Sequence, residues 1–241
     1  MFNFIEALFS NLLVVLYSQV NNLGAAIIIF TVLIRSLLIP VSNKAIKSTK
    51  QIGKLQPELE KLKKKFAKDP QAMQKAQMDL YRKHKVNPFS GCLPQIVQLI
   101  ILIGLYRSLK ALLDQPIINN ITVSTSFLWL DLSKPDGKFI LPFLVAAIQM
   151  IYSLIAMPAL SQIGKKKKKG QKQEMSEADV QKLMMMFSMP ILSGIMVLKF
   201  PAGLGVYWVV TTFFSVVQQL IIAGPGNLKT LKQYFPNKLK K

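Results

Sequence analysis

The sequence predicts an all-α membrane protein: five transmembrane helices, N-terminus outside and C-terminus inside, with a cytoplasmic antiparallel helical hairpin and an N-terminal interfacial helix. Three observations predict it. The 241-residue chain is 51% hydrophobic yet carries a net charge of +20, and its mean hydropathy is +0.34. Apolar and basic residues are segregated into alternating blocks, the pattern of a polytopic membrane protein. The blocks of positive charge fall on one side of five alternating spans.

The elements follow in order. Residues 1–20 contain "FIEALFSNLLVVLYSQV", apolar but carrying Glu6, Asn11 and Ser18. This segment either spans or lies in the interface as an amphipathic helix, and a span would need a very tight turn through "QVNN", so the interfacial reading is preferred. No Lys or Arg precedes it and no small-residue cleavage site is convincing, so a signal peptide is not expected. The runs 23–41, 92–110, 139–160, 183–199 and 203–223 match, or nearly match, the ~20 residues that cross a bilayer. The fourth is short and the turn after it, "KFPAG", is tight, so runs four and five are expected to form a helical hairpin. Lys and Arg number 13 in 42–91, 2 in 111–138, 7 in 161–182 and 5 in the tail 224–241. The three rich segments belong on the cytoplasmic side by the positive-inside rule.

Within 42–91, Leu55, Leu59, Leu62 and Phe66 form one helical stripe. Asp69 is placed to cap a second helix with Pro70 at its first position, and Met73, Ala76 and Leu80 continue the apolar seam. A hairpin outside the membrane follows. The loop 161–182 is a lysine run flanked by glycines, read as basic and flexible. In 111–138, Phe127 and Trp129 suit the outer interface.

The spans carry polar residues at helical spacing: Thr31 and Arg35; Gln95 and Gln98; Gln149 and Ser153; and Trp208, Thr211 or Thr212, Ser215, and Gln218 or Gln219. Lipid offers no hydrogen bonds, so these faces turn toward each other or toward trapped water. For any one Gln or Ser, ordinary interhelical hydrogen bonding accounts for the position. Arg35 is harder to place. It lies about 9 Å from the inner end of its span, at 1.5 Å per residue. Its side chain starts out leaning toward the helix N-terminus and so away from the cytoplasm, which makes snorkelling awkward. None of the 11 acids falls inside the five runs, so no ion pair is available at depth, and a dry unpaired arginine is prohibitive. A hydrated cavity open to the cytoplasm remains.

One cysteine, Cys92, and one histidine, His84, exclude an internal disulfide framework and argue against a His/Cys metal site. There is no phosphate-binding G-x-x-x-x-G-K-[ST] loop and no nucleophile–His–acid set. The expectation is a non-enzyme without cofactors.

Four stretches together make a specific match to a known family: "IRSLLIPVSNKAIKSTKQIGKLQPELEKLKKKF" (34–66), "LYRKHKVNPFSGCLPQIVQLIILIGLY" (80–106), "FLWLDLSKPD" (127–136) and "FPAGLGVYWVVTTFFSVVQQLI" (200–221). Across essentially its whole length the chain resembles the YidC family of membrane-protein insertases, relatives of the mitochondrial and thylakoid assembly factors. Neither the large extracytoplasmic domain of many members nor the lipoprotein-type cysteine of others is expected from these residues. The resemblance implies a hydrophilic groove open to the cytoplasm and lipid but closed toward the outside. It implies that Arg35 is the groove arginine and Thr31 the polar residue one turn before it. It also implies that Tyr207 and Trp208 contact clients, with Leu99 and Leu102 lining their path. The implied location is the bacterial plasma membrane. The implied partners are nascent membrane-protein clients, a ribosome approached by the basic loops and tail, and in some settings the Sec translocon; the lysine runs also suit anionic lipids.

Two other readings compete. A channel or transporter would use the polar stripe as a pathway, but no internal repeat is evident and no intramembrane acid could couple cations. A peripheral basic anchor for ribosome or lipid explains the lysines but not the stripe.

Overall fold

The computed structural model describes residues 2–91, 93–114, 117–118, 121–156 and 177–225. Cys92, most of the basic loop 161–182 and the tail beyond Pro225 lie outside the described residues.

Helix α1, Phe2–Val20, buries Phe9, Leu13 and Tyr17 at fourfold spacing. The chain turns at Asn21, which sits in the left-handed region (φ 51°) that Asn tolerates. Asn22 then caps α2, Leu23–Leu37, its side-chain oxygen accepting from the Ala25 amide at 2.9 Å. The tight turn through "QVNN" is therefore made. Helix α1 packs against α2 and against the second half of α6. Phe9 meets Phe30 edge-on with centroids 5.0 Å apart, Glu6 pairs with Arg107 at 2.8 Å, and the Tyr17 hydroxyl accepts from the Ser124 amide at 3.0 Å.

The expected span 23–41 is broken. Pro40 has no amide to donate and disfavours a helical residue before it, so α2 stops at Leu37. Helix α3, Ile39–Lys54, then leaves at an angle of 62°. No helix was expected over 42–54. The hairpin follows as α4, Gln56–Lys65, and α5, Pro70–Lys83. Asp69 caps α5, accepting from the Ala72 amide at 2.9 Å, with Pro70 at the first position as expected. Its core is Leu55, Leu59, Tyr81 and Val86, while Leu62, Phe66, Met73, Ala76 and Leu80 are half-buried.

A short 3-10 turn, Pro88–Gly91, leads into α6, Leu93–Asp114. Two small antiparallel ribbons follow: β1, Ile117–Ile118, with β2, Ile121–Thr122, and β3, Ser126–Phe127, with β4, Leu130–Asp131. Helix α7, Ile140–Ala156, is packed against both α8, Glu177–Lys199, and α9, Ala202–Ala223. The turn between α8 and α9 is tight, as expected, but these two helices barely touch, because α7 fills the space beside both. Gly194 lets α8 approach Ala146 and Pro142 of α7, and Gly205 lets α9 approach Leu141.

Among the described residues, Asn3–Val20, Pro88–Asp114 and Ala202–Ala223 are long and apolar enough to cross a membrane. The bent pair α2 and α3 is a fourth if counted as one span, and Ile140–Ala156 and Met186–Lys199 are shorter apolar helices. Large apolar side chains such as Leu37, Phe143 and Ile221 are about three-quarters exposed on the outer surface, as lipid contact requires.

One end of the bundle is tightly packed. Val123, Leu130 and Leu132 of the 123–138 loop join a core with Ile27, Phe30, Leu105, Leu141, Leu204 and Tyr207. Phe127 is half-buried and lies over Gly24, where a Cβ would run into its ring, whereas Trp129 is exposed. The loop also closes the start of α9, where orphan amides need acceptors. The Ala202 amide donates to Lys134 O at 2.8 Å and the Gly203 amide to Leu132 O at 3.2 Å. Hydrogen bonds from the Ser133 hydroxyl and amide hold the Asp131 carboxyl well below the usual carboxylate range.

Candidate functional site

The other half of the bundle is not filled. A cavity of about 310 Å³ lies where α2 ends and α6 begins, bounded also by the C-terminal half of α7 and the middles of α8 and α9. Nine of the expected site residues line it: Arg35, Gln95, Gln98, Leu99, Leu102, Gln149, Trp208, Thr212 and Ser215.

Arg35 is held in the wall by neutral partners. Its Nε donates to Thr211 Oγ1, and its Nη2 donates to Gln98 Oε1 at 2.8 Å. Gln98 in turn donates from Nε2 to the Tyr207 hydroxyl at 2.6 Å. Both ends of the Gln98 amide are thus engaged, which fixes its orientation. Arg35 makes no ion pair among the described residues. Its hydrogen bonds satisfy donors without neutralising the charge, so a full positive charge faces the cavity. No buried side-chain polar atom among the described residues lacks a partner.

Three expected residues do not line the cavity. Thr31 is fully buried and donates to Ile27 O at 2.6 Å, a bond within its own helix. Ser153 is buried on α7. Tyr207 is 1% exposed, with only its hydroxyl reaching Gln98, so it stands behind the wall. The lining also holds residues that the sequence reading left out: Tyr152, Ser193, Met189, Leu192 and Met196. Of the pair Thr211 or Thr212, Thr211 bonds Arg35 and both line the cavity. Of Gln218 and Gln219, Gln218 lies beyond the cavity and donates to Asn43 Oδ1 of α3 at 2.7 Å. The signals were available. Tyr152 lies one turn from the Gln149 position, and Ser193 follows Pro190, whose carbonyl accepts from its hydroxyl at 2.9 Å.

Among the described residues no group of His, Cys, Asp or Glu could hold a metal ion. The cavity wall offers polar neutral groups, one fixed cation and an apolar flank from Leu99, Leu102, Met189 and Leu192. Such a wall can receive a polar or acidic segment on one side and an apolar one on the other.

Comparison with known proteins places this arrangement. The sequence model described as "60Kd inner membrane protein" matches residues 15–228. The chain is 36% identical over 226 residues to a membrane protein insertase YidC from Fusobacterium nucleatum, covering 93% of this chain and 98% of that protein. It is 36% identical over 209 residues to membrane protein insertase MisCA from Bacillus subtilis, covering 85% and 72%. It spans only 34% of a longer YidC from a Geobacter species, at 35% identity over 208 residues, 86% of this chain. A crystal structure of an active YidC insertase with its first transmembrane domain resolved aligns with a TM-score of 0.62 at 28% identity, covering 88% of this chain and 45% of that one. The chain belongs to the YidC, or 60Kd inner membrane protein, family.

Proposed function

We propose that this protein inserts nascent membrane proteins into the bacterial plasma membrane through the Arg35 cavity, without nucleotide hydrolysis. The observation that carries the reading is Arg35 itself, a charge held by Thr211 and Gln98 and left without a carboxylate in a cavity wall. A client's short hydrophilic segment enters the polar side, where it loses less hydration than in lipid and an acidic group finds a counter-charge. The client's apolar segment meanwhile follows the Leu99 and Leu102 flank into the bilayer. Its burial, at roughly 25 cal/mol per Å² of apolar area, drives the step. Thr31 and Tyr207 act from behind the wall.

Five spans, with the basic segments 42–91, 161–182 and 224–241 in the cytoplasm, give the cavity its access from that side. Support comes from its position at the ends of α2 and α7 and the start of α6. The contacts of α1 gather toward the opposite, packed end, which favours an interfacial placement for it over a span. Ribosome contact by the basic segments, and cooperation with a Sec translocon, fit the same scheme.

The test is insertion of clients with acidic N-terminal tails into proteoliposomes. Arg35→Lys should retain most activity, whereas Arg35→Ala and Arg35→Glu should lose about tenfold or more, the worth of one charge-assisted contact. Equal insertion by all three variants would refute the role of the charge.

A further inference from the structure

We propose that α3 is a binding surface for anionic lipid headgroups, a cationic rail laid along the membrane beside the mouth of the cavity. The inference rests on α2 ending at a bilayer surface and not on the insertase reading.

Helix α3 carries Lys44, Lys47, Lys50 and Lys54 and no acid. Their spacings of three, three and four place them on one stripe. All four are exposed, and none makes an ion pair among the described residues. The hairpin differs: its lysines share α4 with Glu58 and Glu60, and α5 carries Asp79. The rest of α3 is occupied. Asn43 accepts from Gln218 of α9, Ser48 accepts from Ser90 of the 3-10 turn, and Ala45 is buried. The helix is therefore fixed to the bundle with its lysines left over.

The bend decides which polyanion they meet. At 1.5 Å per residue the 16 residues of α3 make about 24 Å, but at 62° to α2 they advance only about 11 Å along the axis of α2. By the same arithmetic Lys44 lies about 4 Å beyond the end of α2 and Lys50 about 8 Å. The whole stripe thus stays within roughly a Debye length of a surface at that level. Ile39 and Val41, both exposed at the start of the helix, give it an apolar foot in the same layer. A helix continuing straight would have carried Lys54 well beyond headgroup reach.

Each lysine near an anionic leaflet is worth roughly a fivefold change in affinity. The test uses the full chain in nanodiscs of mixed phosphatidylglycerol and phosphatidylcholine, with lipids retained by the protein counted by native mass spectrometry. The wild type should retain phosphatidylglycerol in preference. Replacing all four α3 lysines by Gln should cut that preference about tenfold or more. Replacing them by Arg should preserve it, as should replacing Lys61, Lys63, Lys65 and Lys68 of the hairpin by Gln. An unchanged preference in the α3 Gln variant, or an equal loss in the hairpin variant, would overturn the assignment. So would a preference that survives while ribosome binding in purely phosphatidylcholine discs falls, since the rail would then serve RNA.

Discussion

Arg35 and Gln98, on different helices and 63 positions apart in sequence, are joined by a 2.8 Å hydrogen bond from the guanidinium to the amide oxygen. The bond costs Gln98 nothing on its other side, because its nitrogen donates to Tyr207. The charge is thereby positioned without being cancelled.

That arrangement separates stability from function. Gln98→Leu strands one guanidinium donor and takes one partner from the Tyr207 hydroxyl, and should destabilise the protein by about 1–3 kcal/mol. Gln98→Glu places a carboxylate beside Arg35. It should leave thermal stability in detergent at or above the wild-type level while sharply reducing insertion of acidic-tailed clients. Unimpaired insertion by Gln98→Glu would show that a free positive charge is not required.

The packed end of the bundle depends on Gly24. Even the methyl of Gly24→Ala runs into the Phe127 ring, so the ring must leave its site, at a cost of about 1–3 kcal/mol. Phe127→Ala in the same chain should make Gly24→Ala nearly neutral. Thermal unfolding of the two single variants and the double variant measures the coupling.

The hairpin cap is local. Asp69→Ala removes the acceptor for the Ala72 amide and should cost about 1 kcal/mol. Faster hydrogen exchange in α5, without change in α6 or α9, is the expected result.

Asp131 sets an acid limit on the loop that closes the packed end. Its folded-state pKa lies below the ordinary carboxylate value, so its hydrogen bonds add stability above about pH 4. That contribution disappears as the pH falls further, through the lowered value. Ser133→Ala should return the Asp131 titration toward the ordinary range in carboxyl NMR, lower stability at neutral pH and make stability less sensitive to acid.

Much of this was legible in the sequence, for identifiable reasons. Asp69 and Pro70 announce a helix start because capping chemistry is local. Gln95, Gln98 and Arg35 stand out because polar side chains are expensive in apolar runs. Periodicity, however, gives a face and not its rotation about the helix axis. The resemblance, likewise, pairs Tyr207 with Trp208 as client contacts, although one is sealed behind the wall and the other lines the cavity. Helix α3 was missed because its apolar stripe is thin and Pro40 reads equally as an exit or as the first turn of a new helix. The burial of Phe127 over Gly24, and the insertion of α7 beside both α8 and α9, depend on contacts between distant segments that no local pattern encodes.

The dry packing between the cavity and the 123–138 loop also has an electrical consequence. A membrane potential falls across whatever excludes water. If the cavity is hydrated, as the proposed function requires, nearly the whole voltage would drop over the core around Phe30, Leu105 and Leu204 instead of over the full bilayer. Each unit charge crossing that layer then exchanges about 2.3 kcal/mol per 100 mV over a much shorter path. Arg35 stands at its edge, where, under the proposed function, a steep local field would act on a charged segment about to cross.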